Sequence, residues 1–472
     1  MEIDHCGAPE RSGLGRAYRE HLARAAVRVE DLTRGVDASR LLRITYHGRF
    51  LPTPVFLSAA ERAALAEDLG TLHRLLTGLP ERRFGGDTGA LAEALGVTAP
   101  QARLARRAAT GPPPARLARA DLYRAAEGFR LLELNISSAL GGANNALLNR
   151  ALLDHPALAR FAAEHRLGYV DTVRHLAAIV RAECGPLPER PVVALADWPT
   201  NFATFELWLH VFASLLDEAG IEAVPCHVGE LVERAGRLEV QGRPVDAVLR
   251  MFLIEQVRTP QDEALLEPLL RTVESGAVRL ISRLDAELYG NKGALALLSD
   301  DRHRDTLDAA ERACLDRLLP WTRFLRPRLR LPDGSVGDAE AYARAEQRNL
   351  VLKPVLSHSG IGVLPGWTVP PAEWLDRVRR AVGGPYVLQR RVTPVPEVFP
   401  APDGGERAFH LNWGVFVTDP SVTGSDGYGG CYLRASDAPE AGVITESPDG
   451  WVGCVFHQEA APGGDGDVPA RR

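Results

Sequence analysis

The sequence predicts an α+β fold with a mainly helical N-terminal region, a small parallel α/β unit and a C-terminal antiparallel region. Three observations predict it. Up to residue 110, apolar residues recur at helical spacing. Between 190 and 254, short apolar runs flank a long helical stretch, the order of a strand–helix–strand unit. After 350, short strands are separated by glycine- and proline-rich turns.

In chain order, "SAAERAALAEDLGTLHRLL" opens with Ser58 and Glu61 at capping-box spacing and continues as a helix. "GPPPARL" at 111–117 breaks any helix and connects. "FRLLELNI" then reads as a strand ended by serines and glycines, and 151–185 is helical again. "RPVVALAD", the helical "NFATFELWLHVFASLLDEAG" and "IEAVPC" form the α/β unit, and "VDAVLRMFLI" adds a buried strand. "NKGALALLSD" leads into a helix near 307–319, with Asp308 and Glu311 at capping spacing. "LVLKPV", "PYVLQRRV", "HLNWGVFV", "GCYLRAS" and "WVGCVFH" are the late strands. The resulting divisions are 1–110, 111–185, 186–285, 286–460 and a tail at 461–472, expected to be disordered.

The chain has 472 residues and a formal net charge of -6, which gives no electrostatic case for nucleic acid or an anionic membrane surface. No apolar run reaches the roughly 20 residues that span a bilayer, and the first residues do not read as a secretory signal. Six scattered cysteines without a C-x-x-C pair point to reduced thiols and a cytoplasmic setting.

Of 55 basic residues only Lys292 and Lys353 are lysine; the rest are arginine. Lys353 sits on a strand just before a loop with Gly360 and Gly362. Glycines let backbone N–H groups approach an anion, and an ammonium is a compact charge where a guanidinium demands bidentate geometry. The loop is not a Walker A sequence. Earlier, Glu133 and Asn135 stand two apart on one strand, so both oxygens face one way, and Asp121 adds a third. Three hard oxygen donors suit Mg²⁺ held against a polyphosphate, and Arg119 is placed to stabilise a developing anion. A solvated strand face is the alternative for the Glu133–Asn135 pair alone. Combined with the lysines, the set implies a nucleoside triphosphate.

The series "RAD…LLELNISSALGG", "NKGALALL", "VLKPV…GIGV", "YVLQRRV" and "GGCYLRAS" resembles the ATP-grasp ligases over roughly residues 115–457. It is similar to their circularly permuted branch, with glutathionylspermidine synthetase and eukaryotic-type glutathione synthetase, because the acidic motif precedes both lysines. The resemblance implies that Asp121, Glu133 and Asn135 bind Mg²⁺. It implies that Arg119 steadies the acyl phosphate and transition state, and that Lys292 and Lys353 hold ATP phosphates. Ser357, Ser359, Gly360 and Gly362 would belong to a loop closing over the phosphates, Gln389 to the adenine pocket, and Arg434 to the phosphates or substrate. One departure is the loop "SHSGIG", which lacks the glutamate common in glutathione synthetases.

Arg250 ends a buried strand pattern, and either binds a substrate carboxylate or forms a structural ion pair. His358 and His457 read as loop or core residues. The expected function is an ATP-dependent carboxylate–amine ligase working through an acyl phosphate, with small-molecule carboxylates and amines such as amino acids or peptides as substrates. A small-molecule phosphotransferase and a non-catalytic nucleotide-binding module are the alternatives. A homodimer is common among the resembling proteins.

Overall fold

Two adjacent antiparallel strands, Leu117–Ala125 and Gly128–Asn135, build the part of the fold on which the site rests. The computed structural model describes residues 13–46, 49–109, 116–138, 140–358, 360–401, 403–438, 440, 442–445 and 450–459. Residues 111–115 of the proline connector, Ser359, Cys6 and the 461–472 tail lie outside these.

The hairpin forms one edge of an eight-stranded sheet. Next to Leu117–Ala125 lies Glu406–Thr418, then Tyr428–Ser436, Trp451–Gln458 and Val55–Leu57. All these pairings are antiparallel except the last, which is parallel. Chain segments nearly 300 residues apart therefore share one sheet. A second sheet of four parallel strands is ordered Arg279–Ile281, Ala247–Arg250, Val192–Asp197, Glu222–His227. The 20-residue helix Pro199–Glu218 makes the crossover, as the strand–helix–strand pattern predicts. A third sheet of four antiparallel strands carries Lys353 on Leu350–Pro354, flanked by Tyr386–Arg390 and Leu364–Pro365.

The sequence places the late strands in one antiparallel region. They divide between two sheets: those at 350 and 386 stay together, whereas those at 406, 428 and 451 join the early hairpin. Alternation fixes which face a residue takes but not which strand lies beside it.

Seven helices precede residue 109 among the described residues, interrupted by the buried three-residue strand Val55–Leu57. That strand is too short for its apolar run to show a period. The capping boxes read at Ser58/Glu61 and Asp308/Glu311 both form. "NKGALALLS" is itself a helix, Lys292–Ser299, with Asn291 accepting from the Gly293 N–H at 2.7 Å. Gly290 lets this helix start lie against the end of the Glu133 strand, because a Cβ there would meet Ile136 N at 2.9 Å. Cys184, Cys226, Cys314, Cys431 and Cys454 are buried free thiols.

Candidate active site

Strand alternation puts Arg119 and Asp121 on one face, and register places them opposite Asn135 and Glu133. A bulge follows immediately: Asp121 pairs with Glu133, but Leu122 pairs with Leu131. Leu132 is thus the extra residue, with its carbonyl free to accept from Lys353 Nζ at 3.1 Å. On the other side, Gly414 lies opposite Asp121 and Tyr432 opposite Gly414. A Cβ at Gly414 would come within 3.1 Å of both Arg119 Cδ and the Tyr432 carbonyl. The missing side chain therefore lets Arg119 cross the sheet.

Arg119 grips Asp121 with Nε at 2.9 Å and Nη2 at 3.2 Å, and donates Nη1 to the Gly141 carbonyl at 2.8 Å. Arg434 reaches the same carboxylate at 2.8 Å and donates to Asn412 Oδ1 at 3.2 Å. Lys292 Nζ lies 3.2 Å from Glu133 Oε2 and donates to the Ser357 carbonyl at 2.8 Å. Asn135 Nδ2 is 3.5 Å from Glu133 Oε1. Arg119, Asp121, Glu133, Asn135, Gly141 and Arg434 line a cavity of about 220 Å³, whose wall also includes Tyr123, Lys353, Gly360, Asn412 and Tyr432, while Lys292 and Ser357 line a smaller pocket beside it.

The charges do not balance. Arg119, Arg434, Lys292 and Lys353 supply four cations, while Asp121 and Glu133 supply two anions. Two positive charges remain in a largely buried place, which suits an anionic ligand. Burial alone would raise the Asp121 carboxyl, but Arg119 and Arg434 outweigh it and hold the group at about 2. Burial also works to raise Glu133, the largest single influence, but Lys292 and Lys353 together outweigh it and hold the carboxyl below its ordinary range. Burial pushes Lys353 down to about 8, against the partial support of Glu133. Asp121, Glu133 and Asn135 offer the hard oxygen atoms a divalent cation takes, already ionised and on one face. The two carboxylates are at present paired with Arg119, Arg434 and Lys292, which a cation there would free for an anion.

The glycine loop follows Lys353. Gly360 and Gly362 both have φ +74°, which favours glycine, and Gly360 faces the cavity. The Ser357 hydroxyl is buried without a partner. Gln389 lies off the cavity wall, buried, and donates to Thr322 Oγ1 at 3.2 Å. Arg250 resolves into the second of its two readings. It is fully buried, pairs with Glu287, and donates to the Ser282 and Phe252 carbonyls at 2.6 and 2.7 Å. Its expected contact with a substrate carboxylate is therefore corrected: the fork is spent inside the protein.

Sequence reading missed Asn412, Tyr123 and the 443–445 segment. Tyr123 Oη accepts from the Ile444 N–H at 3.2 Å, and Asn412 Nδ2 donates to the Ile444 carbonyl at 3.0 Å. A lone amide in the apolar "HLNWGVFV" was the available signal for Asn412. His358 lines the cavity and pairs with Glu255.

The fold has a solved counterpart. The chain is similar to a glutathione synthetase-like effector. That protein, from Globodera pallida and in apo form, aligns with 12% identity and a TM-score of 0.52, over 86% of this chain and 90% of the other. A protein from Methylobacillus flagellatus KT, assigned as a gamma-glutamylcysteine synthetase, aligns at 15% identity and a TM-score of 0.42, over 84% and 87%. No family model and no curated protein matches the chain. The mixed α/β architecture is thus shared with a glutathione synthetase-like protein. Among the described residues, no helix is long and apolar enough to cross a membrane.

Proposed function

We propose that this protein is an ATP-dependent carboxylate–amine ligase of the circularly permuted ATP-grasp kind. One observation carries the reading: Lys292 Nζ lies 3.2 Å from Glu133, which lines the same cavity as Arg119, Asp121, Arg434 and Lys353. Hard oxygen donors and surplus cations meet there, as a bound triphosphate requires. The likeness to a glutathione synthetase-like fold supports the same reading.

In this reaction the γ-phosphoryl group moves from ATP to a carboxylate oxygen, giving ADP and an acyl phosphate. The amine nitrogen then attacks the acyl carbon, loses a proton, and expels phosphate to leave an amide. Asp121, Glu133 and Asn135 would hold Mg²⁺, which would supply charge neutralisation for the phosphates. Lys292 and Lys353 hold phosphate oxygens as point charges. The 357–362 loop excludes water that would hydrolyse the acyl phosphate. Arg119, steadied by the Gly141 carbonyl, stabilises the tetrahedral oxyanion, and Arg434 flanks it. Gln389 supports the adenine end from within its sheet.

The test crosses carboxylates with amines in the presence of ATP and Mg²⁺, with mass spectrometry of the product. ADP and phosphate are expected together, and only when both substrates are present. A phosphorylated product without free phosphate would make the protein a phosphotransferase. Lys353→Ala is expected to abolish ADP release, and wild-type turnover in that variant removes Lys353 from the mechanism.

A further inference from the structure

Three neighbouring strands of the eight-stranded sheet set Tyr123, Asn412 and Arg434 in one row, because Asn412 lies opposite both of the others. Directly opposite residues share a face, and all three are buried. The next row on that face is Asp121, Gly414 and Tyr432. Arg434 must therefore lean from its own row into the next, about 7 Å along the strand. There it meets Asp121 at 2.8 Å. A long arginine side chain has many rotamers, so a neighbour has to select this one. Asn412 is placed to do so: its Oδ1 accepts from the same Arg434 Nη2 at 3.2 Å.

The other half of the Asn412 amide is also engaged. Its Nδ2 donates to the Ile444 carbonyl at 3.0 Å, while the Ile444 N–H donates to Tyr123 Oη at 3.2 Å. The row thus holds both main-chain polar groups of Ile444. Residues 443–445 line the cavity, and a Cβ at Gly360 would lie 3.4 Å from Thr445 and 3.6 Å from Val443. The segment therefore abuts the glycine loop. Contacts run without a break from that loop through Ile444 and Asn412 to Arg434 and Asp121.

Only a side chain that accepts and donates at once fills this place. Aspartate would accept from Arg434, but it would turn a second oxygen against the Ile444 carbonyl. It would also add a third carboxylate and cut the surplus of two positive charges to one. An amide holds both partners and leaves the surplus for an anion.

Resting on the ligase reading above, we infer that Asn412 is a positioning residue that couples the 443–445 segment to the aim of Arg434. Arg434 points at Asp121 while the segment is seated against the cavity, and displacement of the segment releases it. Asn412 itself touches no reacting atom.

Hydrogen–deuterium exchange and steady-state kinetics on the full chain test this, with ATP–Mg²⁺ and a carboxylate–amine pair as substrates. Asn412→Ala should speed exchange of the Ile444 N–H about tenfold or more, since one anchor of that residue is gone. Its kcat should fall about 10–100-fold. KM for ATP should stay within about threefold, because the loss lies in the transition state. Asn412→Asp keeps the acceptor but not the donor, so its kcat should also fall about tenfold or more. In an Arg434→Ala background, Asn412→Ala should cost less than about threefold further, because its effect passes through Arg434. General damage to the fold would multiply the two losses instead. Wild-type kcat in either Asn412 variant, multiplied losses in the double variant, or unchanged exchange at Ile444 overturns the inference. If wild-type protein makes no amide while Ile444 exchange responds as expected, the ligase reading falls and the coupling of Asn412 to the segment stands.

Discussion

Replacing Arg250 by alanine tests whether this buried arginine is a strut or a substrate ligand. Its guanidinium is wholly inside the protein and holds Glu287, whose side chain is 8% exposed. Truncation strips Glu287 of its counter-charge, and breaking a buried pair in this way costs ~3–5 kcal/mol. The Ser282 and Phe252 carbonyls, now 2.6 and 2.7 Å from the fork, also lose their donor. Orphaned acceptors cost about 1–3 kcal/mol each, but they share one network with the ion pair, so the losses overlap. Burial already pushes the Glu287 carboxyl up, so protonation relieves part of the penalty. A net loss of about 4 kcal/mol is expected. Urea unfolding read by tryptophan fluorescence measures it, since the Trp198 ring sits 6.3 Å from Phe252 beside the network. With slopes of a few kcal/mol per molar, the midpoint falls by more than about 1 M. The paired change Arg250→Met with Glu287→Leu should recover most of that loss. Wild-type unfolding of Arg250→Ala, together with a raised KM for the carboxylate, would refute the strut and restore the ligand reading.

Other perturbations reach the site and the core. Arg119→Lys keeps a charge but loses the two-point grip on Asp121, so kcat should fall about 10²–10³-fold with KM for ATP little changed. Gly414→Ala puts a methyl 3.1 Å from the Tyr432 carbonyl, which is backbone, and should destabilise by ~1–3 kcal/mol while displacing Arg119; thermal unfolding and turnover together check it. Burial, with Arg62 adding to it, lowers His457 to about 4 from an ordinary 6.5. Between those values the unfolded chain binds more protons than the folded one. Stability from this group is therefore complete above 6.5 and lost as pH falls towards 4, by about 3 kcal/mol. His457→Gln should flatten unfolding midpoints measured across that range, and an unchanged slope would exclude His457 as the cause.

Much of the site was legible residue by residue. Two lysines among 55 basic residues marked positions where a compact charge was kept, and both prove buried beside the acidic strand. Period-two spacing put Glu133 and Asn135 on one face, and the helix caps at Ser58 and Asp308 were plain from local chemistry. Local interactions of this kind reach three or four residues, so a single sequence carries them whole.

The chain by itself therefore determined which side chains are candidates for the chemistry and on which local element each one stands. Tertiary structure alone decided who their neighbours are. It laid Glu406–Thr418 beside Leu117–Ala125, so that Arg434 and Arg119 share Asp121 and Gly414 opens the way for Arg119. It turned Arg250 inward to Glu287 and set the loop residue His358 on Glu255. Such pairings join segments tens to hundreds of residues apart. They are selected by the packing of whole sheets, for which a strand's own alternation gives a face but no partner.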